Sequence, residues 1–364
     1  MKTKPAYKKL LVYYLSGTGN ARNAAHWLAE DFTVAGVKAE VYTIDRYKNM
    51  PDPGLGEDVL LGFCFPTHGF NPAPYMLKFI WKFPRAKMKT HVFLLNTRAG
   101  MKLSKLFLPG LSGLAQILPT FILLVKGYKV VYMQPLDLPS NWISIHPGIK
   151  PRVVESIHQR CRGIISRMSQ RLLAGKRRYQ AFWSLPLDLA VLPISVLYYF
   201  LGRYGLAKTF YSTSDCNQCS ICIDNCPIKA ITYKRGHPYW SYRCESCMRC
   251  MNLCPQRSIQ ASHGYTIPLW WAISAFLYPI MYAELNKYTD FFVQTGILSK
   301  FGNIIIQGIA FLLVSISAYF VAHYLMKLKP IERLFRFSSL TYYKFWRRYK
   351  APGLKVINFI KDRI

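Results

Sequence analysis

The sequence predicts an α/β protein. A doubly wound parallel sheet should occupy residues 1–175, followed by a small cysteine-rich α+β unit and a helical apolar anchor. Three observations predict this. Five short apolar runs alternate with helix-like stretches over the first 175 residues. Eight of the ten cysteines fall in the 39 residues from Cys216 to Cys254. Two long uncharged stretches follow, at 265–283 and 304–326.

The strands are expected at 10–15, 37–44, 59–65, 91–97 and 129–134, and the helices at 20–35, 74–83, 103–125 and 151–174. Sheets of this kind bind ligands in the loops at the carboxyl ends of their strands. At 364 residues the chain exceeds one ordinary core. A hydrophobic share of 51% and an aromatic share of 15% argue against long disordered tracts. The formal net charge of +31 implies an anionic partner: nucleic acid, acidic lipid or an acidic protein. Lys2, Lys4, Lys8 and Lys9 precede only six apolar residues, 10–15, which is too short for a signal sequence and suits a buried strand.

Cys216, Cys219, Cys222 and Cys226 precede Pro227; Cys244, Cys247, Cys250 and Cys254 precede Pro255. Each half reads C-x2-C-x2-C-x3-C-P, the run of bacterial ferredoxins. Three closely spaced thiolates wrap one cubane, and the fourth, with its local turn ended by proline, faces the other. One [4Fe–4S] cluster should therefore take Cys216, Cys219, Cys222 and Cys254. The second takes Cys244, Cys247, Cys250 and Cys226. Zinc, the competing reading, uses four ligands as separated pairs and has no need of evenly spaced triplets. Cys64 reads as a buried strand residue and Cys161 as a helix residue, neither with a role.

After the first strand comes Ser16-Gly17-Thr18-Gly19-Asn20-Ala21, opening a helix. Small residues let the main chain close on a phosphate, with hydroxyls and helix N-terminal amides donating to it. This loop resembles the FMN-phosphate loop of flavodoxins. Two further loops match in kind: Pro66-Thr67-His68-Gly69-Phe70 after the third strand and Asn96-Thr97-Arg98-Ala99-Gly100 after the fourth. With the cysteine runs, residues 1–262 resemble the family of flavodoxin–ferredoxin fusion proteins. The resemblance implies strand order 2-1-3-4-5, bound FMN, two [4Fe–4S] clusters and electron transfer between them. It also implies that Ser16–Ala21 (numbers 16–21), Pro66, Thr67, His68, Gly69, Asn96, Thr97, Arg98, Ala99 and Gly100 contact the flavin. A scaffold of the same fold without flavin is the competing reading. Phe65 reads equally as the last core residue of its strand, and Trp142 as a packing anchor outside the flavin site.

The stretch 304–326 is long enough to span a hydrocarbon core of about 30 Å, and 265–283 is just long enough despite Pro268 and Pro279. Lys234, Arg235, Arg243, Arg249 and Arg257 precede this pair of stretches, which form a hairpin over 263–328, and Lys327, Lys329, Arg333, Arg336, Lys344, Arg347 and Arg348 follow the second stretch. The charges of the loop between the two stretches sum to zero. The positive-inside rule thus places the cysteine unit (210–262) and the tail (329–364) on the cytoplasmic side of the inner membrane, together with the flavodoxin-like unit (1–175), with anionic lipid as partner. The stretch 182–201, within the linker 176–209, is broken by Pro186, Asp188 and Pro193 and reads as a half-inserted or interfacial helix pair. The basic, aromatic run 342–349 reads as an interfacial belt, with no nucleic acid expected.

No nucleophile motif, acid–base pair or dinucleotide fingerprint stands out. The expectation is a membrane-anchored electron carrier or reductase component that meets a redox protein or a small acceptor. The alternative is an iron–sulfur redox sensor acting through a partner.

Overall fold

Residues 5–47, 56–277, 279–280, 283–284, 296–326, 328–355 and 362 are described by the computed structural model. β1 (Lys9–Tyr14), β2 (Lys38–Thr43), β3 (Val59–His68), β4 (His91–Leu103) and β5 (Lys129–Pro139) form a parallel sheet in the order β2-β1-β3-β4-β5. This is the flavodoxin-like order. The crossovers are α1 (Asn20–Val34), α2 (Pro74–Lys82), α3 (Ile117–Val125) and α4 (Pro151–Leu173). Both faces of the sheet are covered, so the strands are apolar without alternation. Ala24, Leu28, Ile157 and Ile165 of α1 and α4 pack on Leu10 and Val12. Met76, Phe79, Ile80 and Leu123 of α2 and α3 pack on Leu11 and Tyr13 from the other side.

Two local differences from expectation matter for the site. No helix runs over 103–125: β4 continues to Leu103 and turns back on Leu106–Leu108, and α3 begins only at Ile117. Pro109, Gly110 and Gly113 explain the delay, since proline removes a helical donor and Gly113 sits at φ +54°. A sixth strand, β6 (Arg178–Tyr179), extends the sheet beside β5, from a segment read as linker.

The cysteine unit is held by two antiparallel pairs: β7 (Phe210–Ser212) with β10 (Ile259–Ala261), and β8 (Ile231–Lys234) with β9 (His237–Trp240). Between the unit and the sheet the chain makes a bent helix pair, 180–190 and 192–207, folded by 82°. It contains α5 (Leu185–Ala190), α6 (Leu192–Leu197) and α7 (Arg203–Ala207). Pro186 and Pro193 each stand in a first turn, where a missing N–H costs nothing, so each proline restarts a limb. Asp188, the charge that interrupts this apolar stretch, is buried and accepts the amides of Ser112 (2.8 Å) and Gly113 (2.7 Å) before α3.

After α8 (Ile221–Asp224), α9 (Arg249–Leu253) and α10 (His263–Ala272) comes α11 (Gly296–Leu325). Its stretch Gly308–Leu325 has mean hydropathy 1.8 and is long and apolar enough to cross a membrane. Residues 278, 281, 282 and 285–295 of the expected hairpin, with Lys287 and Asp290, lie outside the described residues, as does Lys327.

Only part of the run 342–349 faces outward, with Lys344, Phe345 and Arg347 exposed, while the rest packs on the protein. Beyond α12 (Lys329–Ser338) the tail runs back over the protein. Trp346 donates to Ile143 O (2.6 Å), and Arg348 to Arg257 O (2.8 Å) and Ile259 O (2.7 Å). Tyr349 is buried, its amide on Asn252 Oδ1 (2.6 Å). Arginines that cap strand and helix carbonyls carry the same sequence pattern as arginines that face lipid.

Candidate functional site

The eight clustered cysteines surround two small cavities. Cys216, Cys219, Cys222 and Cys254 line the first; Cys226, Cys244, Cys247 and Cys250 line the second. The loops repeat each other. Gln218 and Ser246 stand at the same place in the two runs, and so do Ser220 and Met248, and Lys229 and Arg257. All six have positive φ, between 51° and 60°. That left-handed backbone turns consecutive thiols toward one point. Among the described residues, no three His, Cys, Asp or Glu side chains converge closely enough to hold a single ion. Thiols spread around a cavity suit the corners of a cubane better than one zinc. Burial, then the neighbouring cysteines, push the Cys222 thiol up to about 12. Burial likewise raises Cys247 to about 12. Such thiols stay protonated at neutral pH unless a metal supplies positive charge, so assembly releases protons. Amides of Ala230 and Ser246 point at Cys226 Sγ (3.2 Å) and Cys244 Sγ (3.4 Å).

The second cysteine cavity abuts the loop after β1. Asn141 Nδ2 donates to Cys247 O (3.1 Å), and a Cβ added to Gly17 would overlap that same carbonyl. Arg249, buried between two cysteines of the run, donates to Gly17 O (3.2 Å), Ser16 O, Asn225 O (2.9 Å) and both oxygens of buried Asp45. Arg46 binds Cys226 O (2.9 Å) through Nε, and its amide binds Pro227 O (2.8 Å). A buried pair is costly unless all its donors are met, and here carbonyls from both units complete it. In contrast, Cys219 of the first set is exposed.

On the other side of the same loop lies a third cavity, of about 550 Å³, at the carboxyl ends of β1, β3, β4 and β5. Its volume falls in the range of small-molecule sites. Ser16, Gly17, Thr18, Asn20 and Ala21 form one end; Pro66, Thr67, Gly69, Thr97, Arg98 and Ala99 form the walls. Thr18 Oγ1 is buried there without a protein partner, a donor left over for an anionic group at the start of α1. These residues fit the phosphate and ring of FMN. Arg98 carries no spare charge, because Asp137 holds its Nε at 2.7 Å.

Four of the expected contacts point elsewhere. Gly19 lies outside the cavity wall; its positive φ (+102°) makes the turn into α1, and its amide donates to Ser16 Oγ (3.1 Å). His68 is buried behind the wall, with neither ring nitrogen bonded, and burial lowers its pKa to about 4. Asn96 is buried and braces the loops, donating to Thr67 Oγ1 (2.8 Å) and Ser112 Oγ (3.1 Å). Gly100 packs its Cα against Asp137, a strand–strand approach with no room for a side chain. Conversely, Trp142, set aside as a packing anchor, lines the cavity, as do Phe70, Asn141 and His146. Trp142 also packs near Tyr198 (centroids 5.6 Å) and His68 (6.2 Å). The aromatic after Asn141 at the end of the fifth strand was the available signal. Phe65 is a core residue, and Cys64 and Cys161 are buried.

A 4Fe-4S dicluster domain matches residues 215–259. The chain therefore combines a ferredoxin-type iron–sulfur domain with a sheet of flavodoxin-like order, an arrangement of the electron-transfer class. No curated protein matches the chain. Among solved structures, rubredoxin oxygen:oxidoreductase from Desulfovibrio gigas is similar at 16% identity over 47% of this chain, with a TM-score of 0.26. The match spans only 38% of that protein's length. A flavodoxin from the domain Archaea matches at 14% identity over 44% of this chain and 99% of that one (TM-score 0.26). Flavodoxin 1 from Bacillus cereus matches at 19% identity over 44% and 97% (TM-score 0.25). The fold rests on the strand order and not on these likenesses.

Proposed function

We propose that the protein is a membrane-anchored electron-transfer protein working between two [4Fe–4S] clusters and FMN. The observation that carries this reading is the loop around Gly17, which touches the cysteine unit on one side and lines the 550 Å³ cavity on the other. Cys216, Cys219, Cys222 and Cys254 would hold one cluster, and Cys226, Cys244, Cys247 and Cys250 the other. Ser16, Gly17, Thr18, Asn20, Ala21, Thr67, Gly69, Thr97, Ala99 and Trp142 would hold the flavin. The clusters supply one-electron storage, and FMN supplies exchange between one- and two-electron chemistry. The chain's own residues set distance and orientation: Arg249 clamps the second cysteine set to the Gly17 loop, Arg46 clamps it to the end of β2, and exposed Cys219 leaves the first set open to a partner. A two-helix hairpin over 263–328, with α11 as its second crossing and both redox units and the tail on the cytoplasmic side of the inner membrane, accounts for basic residues on both flanks.

Anaerobic purification in detergent tests the reading. About eight irons and one FMN per chain are expected. Iron without flavin would leave only the ferredoxin half, and colourless protein would end the proposal.

A further inference from the structure

α3 reads ILPTFILLV, apolar on every side, yet only Pro119 and Leu123 are buried. A helix apolar all round belongs in a core or in lipid. Here it lies on the surface, with Phe121 66%, Leu124 54% and Val125 56% exposed. Neighbouring elements continue the patch. Trp81 at the end of α2 is 68% exposed, with Lys126 Nζ on its carbonyl (2.8 Å). From the first limb of the bent pair come Phe182 (51%) and Trp183 (81%), while Ala181 between them and the sheet packs into the same core as Leu123. Exposed apolar side chains on three elements that share one buried core mark an interaction surface.

The charge pattern names the occupant. Between Asp58 and Asp137 the sequence contains no Asp or Glu, and exposed Lys82, Arg85, Lys87 and Lys89 rim the patch. Apolar rings and aliphatics bordered by unopposed cations fit the headgroup boundary of an acidic bilayer. The patch also runs toward the candidate span: the second limb of the bent pair packs so closely on α11 that Leu201 fills the space a Cβ on Gly308 would need.

We infer that the flavodoxin-like unit itself docks flat on the membrane, inserting Phe121, Leu124, Phe182 and Trp183 among anionic lipids. This rests on the anchoring proposed above, but the face is separate from α11. Docking would fix the redox units against the bilayer rather than letting them swing on the anchor.

The test uses the full chain in phosphatidylglycerol vesicles with or without brominated acyl chains. The Trp183 and Trp271 contributions are taken as differences between the wild type and Trp183→Phe or Trp271→Phe. Bromine should quench both contributions. Phe121→Lys with Leu124→Lys should stay vesicle-bound through α11 while the Trp183 contribution shifts red and escapes quenching. Quenching of Trp271 without Trp183 would overturn the docking face and leave the anchor standing. Such a result would mean that solvent, a second copy or another part of the chain covers the patch. Quenching of neither would overturn both.

Discussion

Gly17 answers two demands at once, and its requirement is steric. Its own φ is not in the left-handed region, whereas a side chain there would collide with Cys247 O. Gly17→Ala should push the cysteine unit off the loop without removing a thiol. Iron content should hold while flavin reduction through the cysteine unit slows, read by stopped-flow absorbance; unchanged rates would refute the contact. Lys208 shows a second residue-scale effect. It is buried, donates to Trp240 O (2.5 Å), and sits over the rings of Tyr239, Tyr242 and Tyr319 at 4.5–5.1 Å. Burial brings its pKa down to about 8, with Cys244 opposing. A cation beside the second cysteine set favours the reduced cluster. Lys208→Met should lower the potential of that cluster alone in a titration followed by electron paramagnetic resonance, with Lys208→Arg restoring it. His68 and His158 supply a pH dependence. Burial depresses both to about 4. With unfolded values near 6.5, the folded state keeps its full stability above about pH 6.5 and loses it toward pH 4, by about 3 kcal/mol per histidine. Urea unfolding at pH 7 and pH 5 should show the loss, and His158→Gln should reduce it; a flat profile would refute it.

At the scale of elements, the strands and cysteine runs were legible because each is a local pattern. Runs such as LLVYY can only be buried on both faces, and the spacing of the thiols fixes which ones share a cavity. The region 103–125 was misread because apolar content was taken for helix, whereas Pro109, Gly110 and Gly113 decide where the helix can begin. Contacts across the chain left no local signature. Arg249 looked like one more juxtamembrane base, yet it is buried against Asp45, 204 positions away. The tail was illegible for the same reason: Ala351 N on Thr18 O (2.8 Å) and Asp362 on Tyr14 (2.6 Å) and Arg22 (2.8 Å) pair distant segments. His68 and Asn96 were placed in the site because their loops belong there. Their side chains turn inward, and loop membership does not specify direction.

Over the whole molecule, the net charge of +31 divides between two uses. Some cations are structural, as Arg348 and Arg249 satisfy carbonyls inside the protein. Others, such as those rimming α3, remain exposed, as the proposed docking on an acidic bilayer requires. The proposed relay depends on the two cysteine runs exchanging their last thiols, so that Cys254 lines the first cavity and Cys226 the second. Electron paramagnetic resonance of the reduced full chain, comparing Cys226→Ser with Cys254→Ser, tests this most directly. Each substitution should perturb one cluster, and a different one: Cys226→Ser the cluster of Cys244, Cys247 and Cys250, and Cys254→Ser that of Cys216, Cys219 and Cys222. Both signals surviving unchanged in either variant would contradict it.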